Sequence, residues 1–239
     1  MGAVFDHSHM RGGGNVFDCG HAGEKTVTAS TLAVGDSVWF DYNGTLREFL
    51  VIHQGSPSTL YSNADGTWVM FKEVLSYSKW GESGALYKTS TAYSKCSTMY
   101  SSLSSDAKAV IRTVKIPYQY QYNSGSYYVS SGSSGLSTKL FLLARRELGI
   151  GTETDGTALS YFSTDTVSRI AYDYDGDAAT WWTRTLRAGG TNECWYVNKM
   201  TGGTSYGYIY TETCGMRPAF VIEATTKFKL DVNGRYILA

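Results

Sequence analysis

Two tryptophans stand side by side at Trp181 and Trp182. Neighbouring side chains of a strand point to opposite faces, and an indole is too large and apolar to leave both copies in water, so this segment reads as a central strand covered on both sides. Such a strand requires layers above and below it, and the chain can supply them. It has 239 residues, of which 42% are hydrophobic and 18% charged. A folded chain of this size buries roughly 70% of its unfolded surface, so neither disulfides nor a metal are needed to hold the core, and no cofactor is expected.

Turn signals and periodicity divide the chain. Residues 1–31 are Gly-rich, include Gly12-Gly13-Gly14 and hold three of the four histidines, which suggests an irregular arm; a single domain over 32–239 is expected to follow. Asn43-Gly44 between Ser37–Phe40 and Glu48–Ile52 predicts a β-hairpin. Asp65-Gly66 predicts a second strand pair, Thr59–Tyr61 with Trp68–Phe71. Tyr93, Cys96, Met99, Tyr100 and Leu103 recur at helical spacing, and Ser105-Asp106 offers the N-cap of a second, short helix. The Tyr-, Ser- and Gly-dense stretch 118–134 reads as an exposed loop or ragged hairpin. Leu140–Leu143 has the length of a buried strand, and Arg145–Leu148 reads as a helical turn ended by Gly149. Strands are expected at Trp181–Arg184, Trp195–Val197, Tyr208–Tyr210 and Pro218–Ile222, with a last hairpin around Asn233-Gly234. Strands, then helices, then strands indicate an α+β fold.

Charge excludes one class of partner. Twenty-one Lys and Arg balance twenty-one Asp and Glu, which removes the basic footprint that binding to a phosphate backbone requires. No basic segment followed by an apolar one opens the chain, so no signal peptide is expected. The longest apolar run, Leu140–Ala144, is far too short to span a bilayer. The 19 Tyr and 26 Gly, with abundant Ser and Thr, resemble the make-up of a binding surface instead.

Several constellations invite chemistry. Asp173, Asp175 and Asp177 surround Gly176 and supply oxygen donors of the kind Ca2+ takes, but without the spacing of an EF-hand; a solvated acidic turn is the plainer reading. His7, His9, Cys19 and His21 are soft or borderline donors whose spacing fits no standard zinc motif, so no metal is expected there. His53 is a bare possibility for catalysis, and no G-x-S-x-G elbow accompanies it. Arg217, within an apolar segment, is expected to be buried in an ion pair with Glu147.

Trp181-Trp182-Thr183-Arg184, Trp195-Tyr196-Val197, the Gly202-Gly203 turn and Gly215-Met216-Arg217-Pro218-Ala219 occur in that order. The order resembles the C-terminal signature of an uncharacterised domain family of Firmicute phages and bacterial surface proteins. Val34-Gly35-Asp36, Lys115-Ile116-Pro117-Tyr118 and Glu147-Leu148-Gly149 extend the similarity over roughly residues 32–223. The resemblance implies a C-type-lectin-like or sulfatase-modifying-factor-like fold on virions or at the extracellular surface. It carries over no catalytic residues. Calcium-dependent sugar sites of lectins resemble Glu-Pro-Asn or Gln-Pro-Asp with Trp-Asn-Asp, and none of these tripeptides occurs here. Formylglycine-generating enzymes, similar in fold, hold copper with closely spaced cysteines; Cys194 and Cys214 lie further apart, although they could meet across a hairpin.

The expected function is that of a non-enzymatic binding module, a virion or tail-associated adhesion protein that recognises a host-surface protein or glycan. It would contact other virion subunits or copies of itself, with neither nucleic acid nor membrane as partner. A purely structural virion component is the alternative, and an oxidase of the formylglycine-generating type ranks below it. Strand alternation places Trp195, Val197 and Ile209 inward and a row of Tyr196, Tyr208, Tyr210 and Asn198 outward, extended by Arg187, Asn192 and Tyr206 from loops.

Overall fold

The computed structural model describes residues 26–162, 166–190 and 192–239. It is mostly β-sheet with few helices, in keeping with a loop-rich mixed fold. Two sheets carry the architecture. The first contains β1 (Thr26–Thr28), β2 (Ser37–Tyr42), β3 (Thr45–Gln54), β4 (Thr67–Phe71), β16 (Ala219–Ile222), β17 (Lys227–Leu230) and β18 (Tyr236–Leu238), in the order β1-β17-β18-β2-β3-β4-β16. Its pairings are antiparallel except that of β18 with β2. The second contains β5 (Tyr77–Lys79), β12 (Trp181–Leu186), β13 (Glu193–Val197), β14 (Thr204–Tyr208) and β15 (Thr213–Gly215), in the order β14-β13-β12-β15-β5. Three two-stranded ladders complete the β-structure: β6 (Val114–Ile116) with β9 (Leu136–Thr138), β7 (Tyr118–Asn123) with β8 (Ser126–Ser130), and β10 (Ala171–Tyr172) with β11 (Ala178–Ala179).

The β2–β3 hairpin turns where the sequence indicates. Asn43 and Gly44 adopt φ of +53° and +77°, the two left-handed positions that a tight hairpin turn needs. Helix α1 (Thr91–Ser101) is capped by Ser90, whose hydroxyl accepts from the Tyr93 amide at 3.0 Å; Ser104, one position earlier than expected, caps α2 (Ser105–Val110) in the same way. The 118–134 stretch does form a hairpin, and the last hairpin forms around Asn233-Gly234. Arg146–Leu148 makes a 3-10 turn ended by Gly149 at φ +74°, where a Cβ would sit 3.0 Å from the Phe162 carbonyl.

Four expectations need correction. The fold begins before Leu32: β1 pairs with β17, Ala29 is fully buried, and Gln54 Nε2 donates to both Ala29 O and Leu32 O. Thr59–Tyr61 is not a strand, because β4 pairs instead with β3 and β16, and Tyr61 turns inward. Leu140–Ala144 is completely enclosed but joins no ladder beyond a bridge from Phe141 to Ala219; a continuous apolar run signals burial without specifying backbone shape. β14 ends at Tyr208, leaving Ile209 and Tyr210 in the turn that follows.

The tryptophan argument holds. All six residues of β12 are buried, and β12 is the middle strand of its sheet, antiparallel to β13 and parallel to β15. Trp181 Nε1 donates to Arg169 O at 3.0 Å and Trp182 Nε1 to Ser78 O at 2.9 Å, so each indole is both enclosed and satisfied on its own side of the sheet.

Candidate functional site

The second polar residue of the tryptophan strand organises the interior. Arg184 is fully buried and makes two parallel hydrogen bonds to Glu147, Nη1 to Oε2 at 2.6 Å and Nη2 to Oε1 at 2.7 Å. Its remaining donors reach the carbonyls of Pro117, Leu142 and Asp155 at 2.8–3.0 Å, so all five N–H groups are used. Glu147 also accepts from Tyr61 Oη at 2.5 Å and from the Ala144 amide at 2.7 Å. Burial alone would lower the Arg184 pKa, but Glu147 beside it holds it above the ordinary arginine range. Next to this pair, Asp155 accepts from Thr185 Oγ1 at 2.8 Å, and burial pushes its carboxyl up to about 6 against the opposing pull of Arg184. This network ties four loop segments, around Tyr61, Pro117, Leu142–Glu147 and Asp155, to one strand.

Glu147 is therefore a buried ion-pair partner as expected, but of Arg184 and not of Arg217. Arg217 is buried too, in the link between β15 and β16, where Nε donates to Phe71 O at 2.9 Å. The β12 backbone brings Arg184 to Glu147, whereas the chain crossing between the sheets carries Arg217 to the face of Trp181, whose ring centroid lies 5.3 Å from its Cζ.

The outer edge of the second sheet carries an aromatic ladder. In the β13–β14 register Glu193 faces Tyr208 and Trp195 faces Tyr206, which puts these four side chains on one face. Trp195 and Tyr206 meet edge to face at 5.6 Å. A guanidinium stacks on each end of the pair: Arg145 Cζ lies 3.7 Å from the Trp195 centroid and Arg187 Cζ 3.8 Å from that of Tyr206. Both arginines are braced, Arg187 by an ion pair with Glu193 and Arg145 by Glu153 at 2.8 Å and Thr204 Oγ1 at 2.9 Å. Tyr206 is 43% and Tyr208 51% exposed. The β7–β8 hairpin abuts this region, with Tyr127 Oη on the Gly190 carbonyl at 2.9 Å and the Gly189 amide on Gly125 O.

Of the seven residues expected at the binding face, Arg187, Tyr206 and Tyr208 come together on it. Tyr196 does not: it occupies the opposite face of β13 and packs edge to face on Trp182 at 5.8 Å. Trp195, expected inward, shares the exposed side. Strand parity separates two rows correctly but does not say which row is covered when both sides of a sheet have neighbours. Tyr210 lies beyond the strand, half-buried against the core, with its ring 6.1 Å from that of Tyr208. Asn192 and Asn198 are occupied with backbone. Asn192 Oδ1 accepts from Ser83 Oγ and the Gly84 amide, and Asn198 Oδ1 from the amides of Met200 and Thr201. Arg145, absent from the expected set, is the residue sequence reading missed; it follows an apolar run and carries no signal of stacking.

The other constellations resolve locally. Asp173 Oδ1 accepts from the amides of Asp175 and Asp177 and its Oδ2 from Tyr77 Oη, so the carboxylate shapes its own turn. No group of three or more His, Cys, Asp or Glu side chains among the described residues is placed to hold a metal. His7, His9, Cys19 and His21 lie outside the described residues. Cys194 and Cys214 are buried free thiols on the two strands that flank β12; burial raises both, Cys214 to about 12. His53 is half-buried, with Nδ1 2.8 Å from Ser160 Oγ, and burial lowers its pKa. No helix of the described residues is long and apolar enough to cross a membrane.

Among known proteins, no curated protein and no solved structure matches this chain. One family model does, that of DUF6273, a domain of unknown function, over residues 65–224. The match runs from β4 through β16 and takes in the Arg184–Glu147 network, the aromatic ladder and Arg217. By that match, which covers most of its length, the chain belongs to the DUF6273 family, a domain whose function is unknown.

Proposed function

We propose that this chain is a non-enzymatic binding module with a C-type-lectin-like arrangement, a virion-borne or surface-displayed adhesion domain that recognises a host-surface protein or glycan through the β13–β14 edge. The observation that carries this reading is the stacked ladder Arg145–Trp195–Tyr206–Arg187, half-buried at Arg145 and Trp195 and open to solvent at Tyr206, with exposed Tyr208 beside it. Stacked guanidinium and aromatic planes are rigid, present large amphipathic area and lose little side-chain entropy when covered, which is the make-up of interface hot spots. A sugar ring or a partner's aromatic side chain would lie flat against Tyr206 and Tyr208, and the braced arginines would bind polar groups at the rim.

The test is retention of the fluorescently labelled full chain on intact Firmicute cells. The wild-type chain should be retained and Tyr206→Ser/Tyr208→Ser should lose about tenfold or more of that retention with an unchanged thermal midpoint, as expected for two hot-spot truncations. Equal retention of both proteins, or a loss that appears only with unfolding, would overturn the assignment to this edge.

A further inference from the structure

Arg217 stands apart from every other buried charge described. It is 2% exposed, and among the described residues its one hydrogen bond is from Nε to Phe71 O while Nη1 is buried with no acceptor. No carboxylate lies within ion-pair distance of it among the described residues. Arg217 forms part of the wall of a cavity of about 390 Å³, between the first sheet on one side and Tyr161 with residues 167–172 on the other. Two other charged side chains line that cavity, and each already has a partner: Lys72 meets Glu48 at 2.8 Å and Glu73 meets Arg47 at 3.5 Å. Among the described residues, the cavity thus has one uncompensated positive charge. The rest of the wall is mixed: Leu50, Ile170 and Ala171 with the rings of Tyr161 and Tyr172 form its apolar part, and Ser37 and Ser168 lie beside them.

We propose that this cavity is a binding site for a small monocarboxylate with an apolar body, whose carboxylate pairs with the Arg217 guanidinium. An enclosed charge without a counter-ion is costly, and a carboxylate matches the planar fork of a guanidinium with two parallel acceptors. Burial lowers the Arg217 pKa only to about 10, so the group is charged at neutral pH and the attraction is present. One spare charge with Glu73 nearby favours a monoanion over a dianion such as phosphate. The volume sits at the small end of the roughly 300–1,000 Å³ typical of ligand pockets, and the apolar part of the wall suits an aromatic or branched aliphatic body. The site is separate from the β13–β14 edge and does not depend on its role.

Thermal unfolding of the full chain tests this with three probes: benzoate, its neutral analogue benzamide, and inorganic phosphate. A ligand that binds only the folded state raises the midpoint in proportion to its occupancy. Benzoate should raise it, and benzamide and phosphate should not. Arg217→Met should weaken the apparent benzoate affinity about tenfold or more, the equivalent of one charge-assisted bond. Should that variant fail to fold, Ile170→Trp, which fills the cavity and keeps Arg217, should abolish the benzoate response. No benzoate response in the wild-type chain, an equal response to benzamide, a response to phosphate alone, or a benzoate response that survives in the folded variants would each overturn the proposal.

Discussion

Arg184 and Arg217 are both enclosed, sit in the same family-matched region and flank the same tryptophan pair, yet their surroundings differ in almost every respect. Arg184 has a bidentate carboxylate and three carbonyls, and every donor is used. Arg217 has one carbonyl, a tryptophan face and a cavity. The first arrangement is that of a structural fastening, in which charge is enclosed only because its partner is enclosed with it. The second leaves charge unspent. Burial of an arginine is therefore uninformative about role until its donors have been counted.

The comparison can be broken most sharply at Glu147. Glu147→Gln leaves Arg184 enclosed and uncompensated, and a stability loss of about 3–5 kcal/mol is expected in urea unfolding. A loss below about 1 kcal/mol would show that the network relaxes and would remove the contrast. Asp155 gives the next effect, through pH. Its pKa is about 6 in the folded chain against 3.8 when free, so the protonated form is favoured by folding. That contribution to stability is complete below pH 4 and is lost as pH rises through 6, a change of about 3 kcal/mol. Asp155→Asn should flatten this part of the stability profile between pH 4 and 7.

A smaller effect is expected at the other arginine. Arg217→Met removes one hydrogen bond and a cation–π contact but orphans no carboxylate and relieves a buried charge, so the expected change is within about 1 kcal/mol of zero. A loss comparable with that of Glu147→Gln would mean that the two sites are alike after all. Least affected should be the exposed edge, where Tyr208→Ser is expected to leave stability within about 0.5 kcal/mol, as for most surface substitutions.

These differences show what a sequence of this kind discloses. The central position of Trp181-Trp182 followed from size and strand period alone, and the β2–β3 turn from the backbone demands of Asn43-Gly44. That Glu147 is a buried partner was also legible, because a carboxylate beside an apolar run needs a cation. Its choice of Arg184 was not, since both arginines satisfy the same rule and only the crossing of the chain between the sheets decides between them. The ladder was half legible for a related reason. Strand alternation identified Tyr208, with Tyr206 and Arg187 as loop extensions, but Tyr196 was assigned to the wrong row, and of the two asparagines given to a ligand Asn198 caps its own turn while Asn192 holds the distant Ser83-Gly84 turn. Polar side chains in loops serve the backbone first, and sequence alone does not reveal how much capacity remains.

The parallel pairing of β18 with β2, which sets Tyr236 beside Val38, has a consequence for how the protein is made. β2, β3 and β4 can pair as soon as they leave the ribosome, but the other edge of β2 is an uncovered row of amides and carbonyls until the final hairpin arrives. Contacts this distant in sequence form slowly, and an unpaired edge is a template for any other strand that reaches it first. Loss of residues 227–239 would turn an interior strand into a permanent edge and also leave β1 without β17. Such a fragment would be recovered as aggregate even with its tryptophan-centred sheet intact, so the last hairpin protects the nascent chain as much as it completes the fold.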